Sequence, residues 1–192
     1  MKKEDVKNIL STIGNWITAA DNKVSVGLGI FSFIDIFLGF IFVEKSSLLS
    51  DSMSSYENKC LPIFIYVVIF LSLGCFVVAL IHYCSALSPR FNGKASSKEK
   101  TKNSSKNKKR IELMKPNSYF YEDVAAFENE NDFITYKTKY YKYTDEELHI
   151  LKEIYHNSKI CHRKMHLFRA GLWISFASLI FGILSIVLVL FL

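Results

Sequence analysis

The chain offers few side chains in the arrangements that catalysis or metal binding requires. His162 and His166 stand four residues apart, a spacing that places two imidazoles on one helix face and can hold a transition metal. No third ligand lies close to them in the sequence, and the neighbouring Arg163, Lys164 and Arg169 would repel a cation. We therefore predict a histidine pair without a metal.

Acidic residues and cysteines give no stronger case for an enzyme. The pair Glu122–Asp123 and the acidic run 145–147 are typical of helix N-termini, where carboxylates stabilise the first turn. The sequence contains no glycine-rich phosphate loop, no Gly-x-Ser-x-Gly motif and no Cys-x-x-Cys pair. We expect a protein that is not an enzyme and that uses no cofactor.

Three apolar stretches dominate the 192 residues: 24–43, 61–81 and 172–192. A helix of about 20 residues spans the roughly 30 Å hydrocarbon core of a bilayer. Lipid gives the backbone no hydrogen-bond partner, and no alternating pattern indicates barrel strands, so helices are expected. A cleaved signal peptide is a poorer interpretation of the first stretch, because no cleavage site of small residues follows Val43. The sequence predicts a mainly α membrane protein with three transmembrane helices and a small, mostly helical cytoplasmic domain between the second and third spans.

Basic residues predict which segments face the cytoplasm. Four lysines precede the first span, two lie in the loop 44–60, and 18 of the 24 Lys and Arg residues lie between positions 83 and 170. The positive-inside rule therefore predicts a cytoplasmic leader 1–23, a short external loop 44–60 and a cytoplasmic region 82–171. The net charge of +6 is explained by this topology and does not require a nucleic-acid partner.

The cytoplasmic segments carry signals of order and of disorder. Residues 92–110 are nearly all Lys, Ser, Asn and Gly without an aromatic residue, which predicts a disordered, solvated loop rather than a tether to lipid or nucleic acid. The leader has apolar residues every three or four positions, typical of an amphipathic helix. Such a helix can lie in the membrane interface or continue the first span into the cytoplasm and pack there, and we favour the second alternative.

Short elements are expected before the third span. Residues 119–121 suggest a strand, 122–127 a helical turn and 131–141 a helix. Thr144 and Glu147 have the spacing of a capping box, and nothing breaks the chain after them. We predict one long helix from about Asp145 to Leu192, with its first half outside the bilayer.

Polar residues inside the spans must find partners or water. Asp35 lies in the middle of the first span, where we expect it to be protonated and bonded to Ser72 or another span residue, or to line a path opened on assembly. The third span carries a stripe of small residues that allows close helix approach, either within the chain or between copies. The stripe consists of Gly171, Ser175, Ser178, Gly182 and Ser185.

The chain resembles the transmembrane effectors of the pyrimidine cyclase antiphage system, the Pycsar effector family. Four stretches carry the resemblance, in an order that fits the three spans. They are Ala20-Asp21-Asn22-Lys23, Ala86-Leu87-Ser88-Pro89-Arg90, the segment 119–125 (Tyr-Phe-Tyr-Glu-Asp-Val-Ala) and the pattern Leu151, Ile154, Ser158, Lys159.

The resemblance implies a partner rather than a reaction. Members of that family sense cyclic CMP or cyclic UMP made by a separate cyclase during phage infection, and then impair the bacterial inner membrane so that the infected cell dies. It implies a multi-pass protein of that membrane, whose partners are the cyclic nucleotide and the lipid bilayer, and the basic residues predict that its N-terminus is cytoplasmic. Three spans enclose little, so we expect several copies to assemble.

A cyclic monophosphate requires cations for its charge and an aromatic wall for its base. Lys159 and Arg163, one helical turn apart, are the candidate cations, and Tyr119 and Tyr121 are the candidate stacking surfaces. Asp21 and Lys23 are candidates for a coupling point, with Asp21 paired to Lys159 or Arg163. The competing interpretations are a membrane toxin or scaffold without a nucleotide ligand, and a similar effector that answers a cyclic oligonucleotide.

Overall fold

The computed structural model describes residues 3–55, 60–88, 120–139 and 141–190, in which five helices occur and no strand. The helices are α1 (Lys3–Ser55), α2 (Cys60–Leu87), α3 (Tyr121–Ala125), α4 (Glu130–Thr138) and α5 (Asp145–Leu190). The predicted disordered loop 92–110 lies outside the described residues. Within these limits the mainly α architecture is confirmed.

Helix α1 is continuous from the leader through the first apolar stretch, because the sequence contains no proline before Ser55. It also runs past Val43 into the predicted loop 44–60, so that residues 44–55 of this loop are helical. Hydropathy detects where the apolar surface ends, whereas a helix can continue into polar residues, and 44–55 contains neither Gly nor Pro to break it.

The predicted strand at 119–121 is wrong for its described residues. Phe120 has an extended backbone, but Tyr121 already begins α3, with Glu122 and Asp123 in its first turn. Two acidic residues favour a helix start, and a strand would need a pairing partner. The predicted helix 131–141 is present as α4, which begins at Glu130 and ends at Thr138.

Side chains cap the starts of α4 and α5. The Asp132 backbone N–H donates to Asn129 Oδ1 over 2.8 Å. At α5 the capping box is confirmed: the Thr144 backbone N–H donates to Glu147 Oε2 over 2.8 Å, and the Glu147 N–H donates to Thr144 Oγ1 over 3.4 Å. Each contact satisfies a backbone donor that the helix itself leaves free.

The chain divides into two compact units. Met1–Asn22 and Ser88–His166 form the charged unit, and Lys23–Leu87 and Leu167–Leu192 form the apolar unit. The core of the charged unit joins the leader helix to α3, α4 and the first half of α5. Its buried residues are Val6, Ile9, Ile13, Val124, Phe127, Phe133, Ile150, Leu151, Ile154 and Tyr155.

The apolar unit contains all of α2 and parts of α1 and α5. In the described part of the chain, these three helices are long and apolar enough to cross a membrane. Large apolar side chains such as Phe33, Phe70 and Trp173 point outward and are more than 70% exposed. An outer surface of this kind suits lipid rather than water, so the protein is a membrane protein with three candidate spans.

Candidate ligand-sensing and intramembrane sites

Lys159 lies in the charged unit beside the buried ring of Tyr155. Its ammonium nitrogen is 5.4 Å from the ring centroid, and burial lowers the pKa of Lys159, an effect that the negative charge of Glu128 opposes. No ion pair of this amine occurs among the described residues. Lys159 is therefore a partly desolvated cation, which binds an anion more strongly than a fully hydrated one.

Tyr155 is fixed in place by its hydroxyl group. The hydroxyl lies 3.0 Å from the carbonyl oxygen of Glu128 and 3.4 Å from that of Phe127, to which it can donate. Burial, together with the negative charges of Glu130 and Asp132, raises the pKa of Tyr155 to about 12. The uncharged Tyr155 ring is thus fixed in position beside Lys159.

A second partly buried lysine, Lys137, was not identified from the sequence. Its ammonium nitrogen lies 5.9 Å from the centroid of the Phe133 ring, which stacks on Tyr155 with centroids 6.1 Å apart. Burial lowers the pKa of Lys137. The signal in the sequence is the spacing of four between Phe133 and Lys137, which repeats the spacing between Tyr155 and Lys159.

The predicted stacking residue Tyr121 is buried, with 3% of its surface exposed. Its ring centroid lies 5.8 Å from that of Trp16 and 5.2 Å from that of Phe120, and its hydroxyl donates to Glu122. Trp16 and Phe120 are 38% and 36% exposed, so these rings are the accessible members of the cluster. Tyr119 lies outside the described residues.

Asp21 forms an ion pair with Lys164, not with the predicted partners Lys159 or Arg163. Buried positions 158 and 161 of α5 place Lys164 on the same face of the helix, whereas Arg163 points to an exposed face. The other proposed coupling residue, Lys23, is exposed and belongs to the apolar unit. His162 and His166 are also exposed, and the described residues contain no cluster of side chains that could hold a metal.

Asp35 meets α2 and α5 in the interior of the apolar unit. Its Oδ1 lies 3.1 Å from Ser178 Oγ, which is also 3.0 Å from the backbone oxygen of Ser72. The Ser72 hydroxyl donates to the backbone oxygen of Ser178 over 3.0 Å. The direct partner of Asp35 is thus Ser178, while Ser72 is joined to it through that residue.

The stripe of small residues on α5 is buried within the chain. Ser175, Ser178 and Ser185 are at most 4% exposed, and the Tyr83 hydroxyl lies 3.2 Å from Ser175 Oγ. A methyl group added at Gly171 would lie 3.1 Å from the Tyr83 ring. The stripe therefore packs against the other spans of the same chain, the first of the two predicted alternatives.

A cavity of about 140 Å³ lies beside Asp35 in the apolar unit. Its walls are mostly apolar and include Leu38, Phe42 and Phe76, while Ser72 and Ser178 contribute polar groups. The second carboxyl oxygen of Asp35 is buried and has no hydrogen-bond partner among the described residues. The spans thus enclose a polar group that the surrounding protein leaves incompletely satisfied.

Comparison with known proteins identifies the family to which the chain belongs. Searches of curated proteins and of solved structures find no match. The family comparison matches the Pycsar effector protein domain over residues 5–191, which is nearly the whole chain and includes all five described helices except the first two residues of α1. The chain therefore belongs to the Pycsar effector family, whose members are transmembrane effectors of antiphage defence.

Proposed function

We propose that this effector binds cyclic CMP or cyclic UMP with its charged unit and then impairs the bacterial inner membrane, which kills the infected cell. The observation that carries the proposal is the family match over residues 5–191. Two properties of the chain support it: a unit with partly desolvated cations and aromatic rings, and three helices able to cross a membrane.

Lys159 and Arg163 are the residues we assign to the phosphate. Lys159 has lost part of its hydration beside Tyr155, while Arg163 stands one turn further along α5 with an exposed side chain. A cyclic monophosphate carries one negative charge, for which two cations are sufficient. We assign the base to the aromatic cluster of Trp16, Phe120 and Tyr121, where Tyr121 supports the two accessible rings.

The nucleotide site can be tested by isothermal titration of the full chain in detergent with cyclic CMP and cyclic UMP. Lys159→Ala and Arg163→Ala are each expected to weaken binding by roughly 10-fold to 100-fold, the loss of a charge-assisted hydrogen bond. Lys142→Ala, which removes an exposed lysine of the same unit, is the matched control and should bind normally. Undiminished binding by Lys159→Ala and Arg163→Ala would remove the assignment.

Transmission to the membrane is assigned to α1 and α5. Both helices contribute residues to the charged unit and to the apolar unit, and the Asp21–Lys164 ion pair joins them near the ends of their charged-unit segments. A ligand drives a rearrangement only to the extent that it binds one arrangement more tightly than another. We therefore propose Asp21, together with Lys23, as the coupling point.

The proposed topology has a cytoplasmic N-terminus, a cytoplasmic charged unit and an external C-terminus. Its support is the concentration of basic residues between positions 83 and 170. A reporter fused after Leu192 is expected to be external to the cytoplasm, and a cytoplasmic reporter would contradict the topology. Because the stripe of small residues is buried within the chain, assembly of several copies would use the outward faces of the spans.

A further inference from the structure

Asp35 is the only Asp, Glu, Lys or Arg residue in the three apolar stretches 24–43, 61–81 and 172–192. A charged side chain at this depth costs several kcal/mol, so it is retained with partners or with access to water. A water-filled path along these helices would therefore carry one fixed charge for each copy of the chain, and that charge would be negative.

The number of hydrogen bonds around Asp35 is limited by the number of protons that its neighbours can donate. Ser178 Oγ lies within hydrogen-bond distance of both Asp35 Oδ1 and the Ser72 backbone oxygen, at 3.1 and 3.0 Å. A serine hydroxyl has one proton, so it donates one full hydrogen bond or shares that proton in two weaker ones. Both contacts are satisfied when the carboxyl is neutral, because Asp35 then donates to Ser178 and Ser178 donates to Ser72. A neutral Asp35 would thus link α1, α5 and α2 with two full hydrogen bonds.

The unpartnered oxygen of Asp35 identifies where water would enter. Asp35 Oδ2 is buried without a partner among the described residues, and Asp35 lines the cavity of about 140 Å³. That cavity is partly open at the surface of the spans and has room for several water molecules, but walls formed largely by Leu38, Phe42 and Phe76 disfavour water there while the carboxyl is neutral. Separation of the helices would admit water to the carboxyl from this side.

We propose that Asp35 is the cation-selecting group of the path that this effector opens in the membrane. Its hydrogen bond to Ser178, and through Ser178 to Ser72, keeps the group neutral and dry in the closed state. This inference rests on the proposed function and adds to it the class of ion that crosses. When the helices separate, Asp35 releases its proton to the entering water, and the resulting carboxylate favours small cations over anions.

The inference is tested on the full chain in planar bilayers of phosphatidylethanolamine and phosphatidylglycerol, under a roughly tenfold KCl gradient with cyclic CMP or cyclic UMP added. The unaltered chain is expected to pass K⁺ in preference to Cl⁻. Asp35→Asn should reduce the K⁺ to Cl⁻ permeability ratio about fivefold or more, because the fixed charge is lost. Glu44→Gln removes an exposed carboxyl from the same helix beyond the apolar stretch and should preserve the ratio.

A second variant keeps the test decisive if the Asp35→Asn protein does not insert into the bilayer. Ser178→Ala retains the carboxyl but removes its partner, so current without nucleotide should rise severalfold while cation preference remains. A nucleotide-induced current whose selectivity is unchanged in Asp35→Asn, or a current in Ser178→Ala that prefers Cl⁻, overturns the inference alone. Absence of any nucleotide-induced current from the unaltered chain overturns the proposed function and this inference with it.

Discussion

Lys164 and Arg163 are adjacent basic residues of α5 in different environments. The Lys164 side chain is 13% exposed and pairs with Asp21, whereas Arg163 is exposed. Removing one member of a partly buried pair leaves the other charge incompletely solvated, and the partial exposure of Asp21 reduces that cost. Lys164→Met is therefore expected to lower the free energy of unfolding by about 1 kcal/mol. Arg163→Met should lower it by less than about 0.5 kcal/mol, because solvent screens the interactions of an exposed side chain.

The two variants can be compared by denaturant unfolding of the full chain in detergent, without nucleotide, followed by circular dichroism. Equal losses of stability would contradict the difference in environment. The comparison also separates the structural role of Lys164 from the ligand-binding role proposed for Arg163.

Tyr155 makes the stability of the charged unit sensitive to alkaline pH. Its folded-state pKa of about 12 lies above the ordinary value of 10.0, so the folded protein retains a proton that the unfolded chain loses. The contribution to stability is therefore complete below pH 10 and is lost as the pH rises from 10 to 12. Tyr155→Phe should remove part of this dependence, as measured by unfolding at pH 8 and pH 11.

A phenylalanine at position 155 also loses the hydrogen bond to Glu128, which costs about 1 kcal/mol at pH 8. Tyr141→Phe is the matched control, because Tyr141 is 50% exposed. An alkaline loss of stability that is the same in Tyr155→Phe and in the unaltered chain would contradict the role of the buried hydroxyl.

The sequence could identify individual charges more readily than their partners. Asp35 and Asp21 are recognisable because a carboxylate within or beside an apolar stretch requires compensation. The partner of Asp21 was predicted wrongly because consecutive residues of a helix point about 100° apart, so a small error of phase exchanges Lys164 for Arg163. Lys137 and Trp16 were missed because their surroundings depend on contacts between segments far apart in sequence.

At the scale of elements, α5 shows how one helix serves two environments. Among its buried positions, 147, 151, 154, 158 and 161 follow steps of four and three with 150 and 155 beside them, and a second series of such steps begins at 171. The first series, continued with the same steps, would reach 172, so the second series is displaced from it by one residue along α5. A shift of this kind changes the local winding that packing requires. It falls on the segment that contains Lys164.

The start of α5 depends on its capping box. Thr144→Ala removes the side-chain acceptor for the Glu147 backbone N–H and should cost about 1 kcal/mol of stability. Thr138→Ala is the control, because the Thr138 hydroxyl only donates to carbonyl oxygens of its own helix. Denaturant unfolding of both variants measures the difference. A cap variant as stable as the control would show that tertiary packing alone fixes the beginning of α5.

Close helix packing in the apolar unit depends on Gly171. An added methyl group would lie 3.1 Å from the Tyr83 ring, and that ring is 1% exposed and cannot easily move. Gly171→Ala should therefore destabilise the packed spans by about 1–3 kcal/mol. At Gly29 an added methyl group meets no atom within 4 Å, so Gly29→Ala should be neutral or stabilising. Thermal unfolding in detergent compares them, and the reverse order would contradict the packing.

Helix positions were more predictable than helix ends. The three spans, the capping box and the long final helix followed from hydropathy, residue type and the absence of proline. The end of α1 and the change from the predicted strand to α3 did not, because both depend on local backbone preferences that apolar patterns do not report. The partner of the small-residue stripe also remained open, since the same pattern allows packing within a chain or between chains.

At the scale of the whole molecule, the distribution of basic residues along the chain and the family match both agree with a transmembrane effector. The excess of basic residues lies between the second and third spans, and the family match extends over residues 5–191. Helices α1 and α5 each contribute residues to both the charged unit and the apolar unit. We propose that a cyclic pyrimidine mononucleotide controls the effect of the apolar unit on a bilayer.

The most direct test is dye release from vesicles of phosphatidylethanolamine and phosphatidylglycerol that contain the purified full chain. Cyclic CMP or cyclic UMP, added on the side of the charged unit, is expected to cause release, while cyclic AMP is not. Lys159→Ala should shift the required concentration upward by roughly 10-fold or more. Release that is equally fast without nucleotide would indicate a constitutive toxin, and release only with a cyclic oligonucleotide would indicate another messenger; either result would contradict the account.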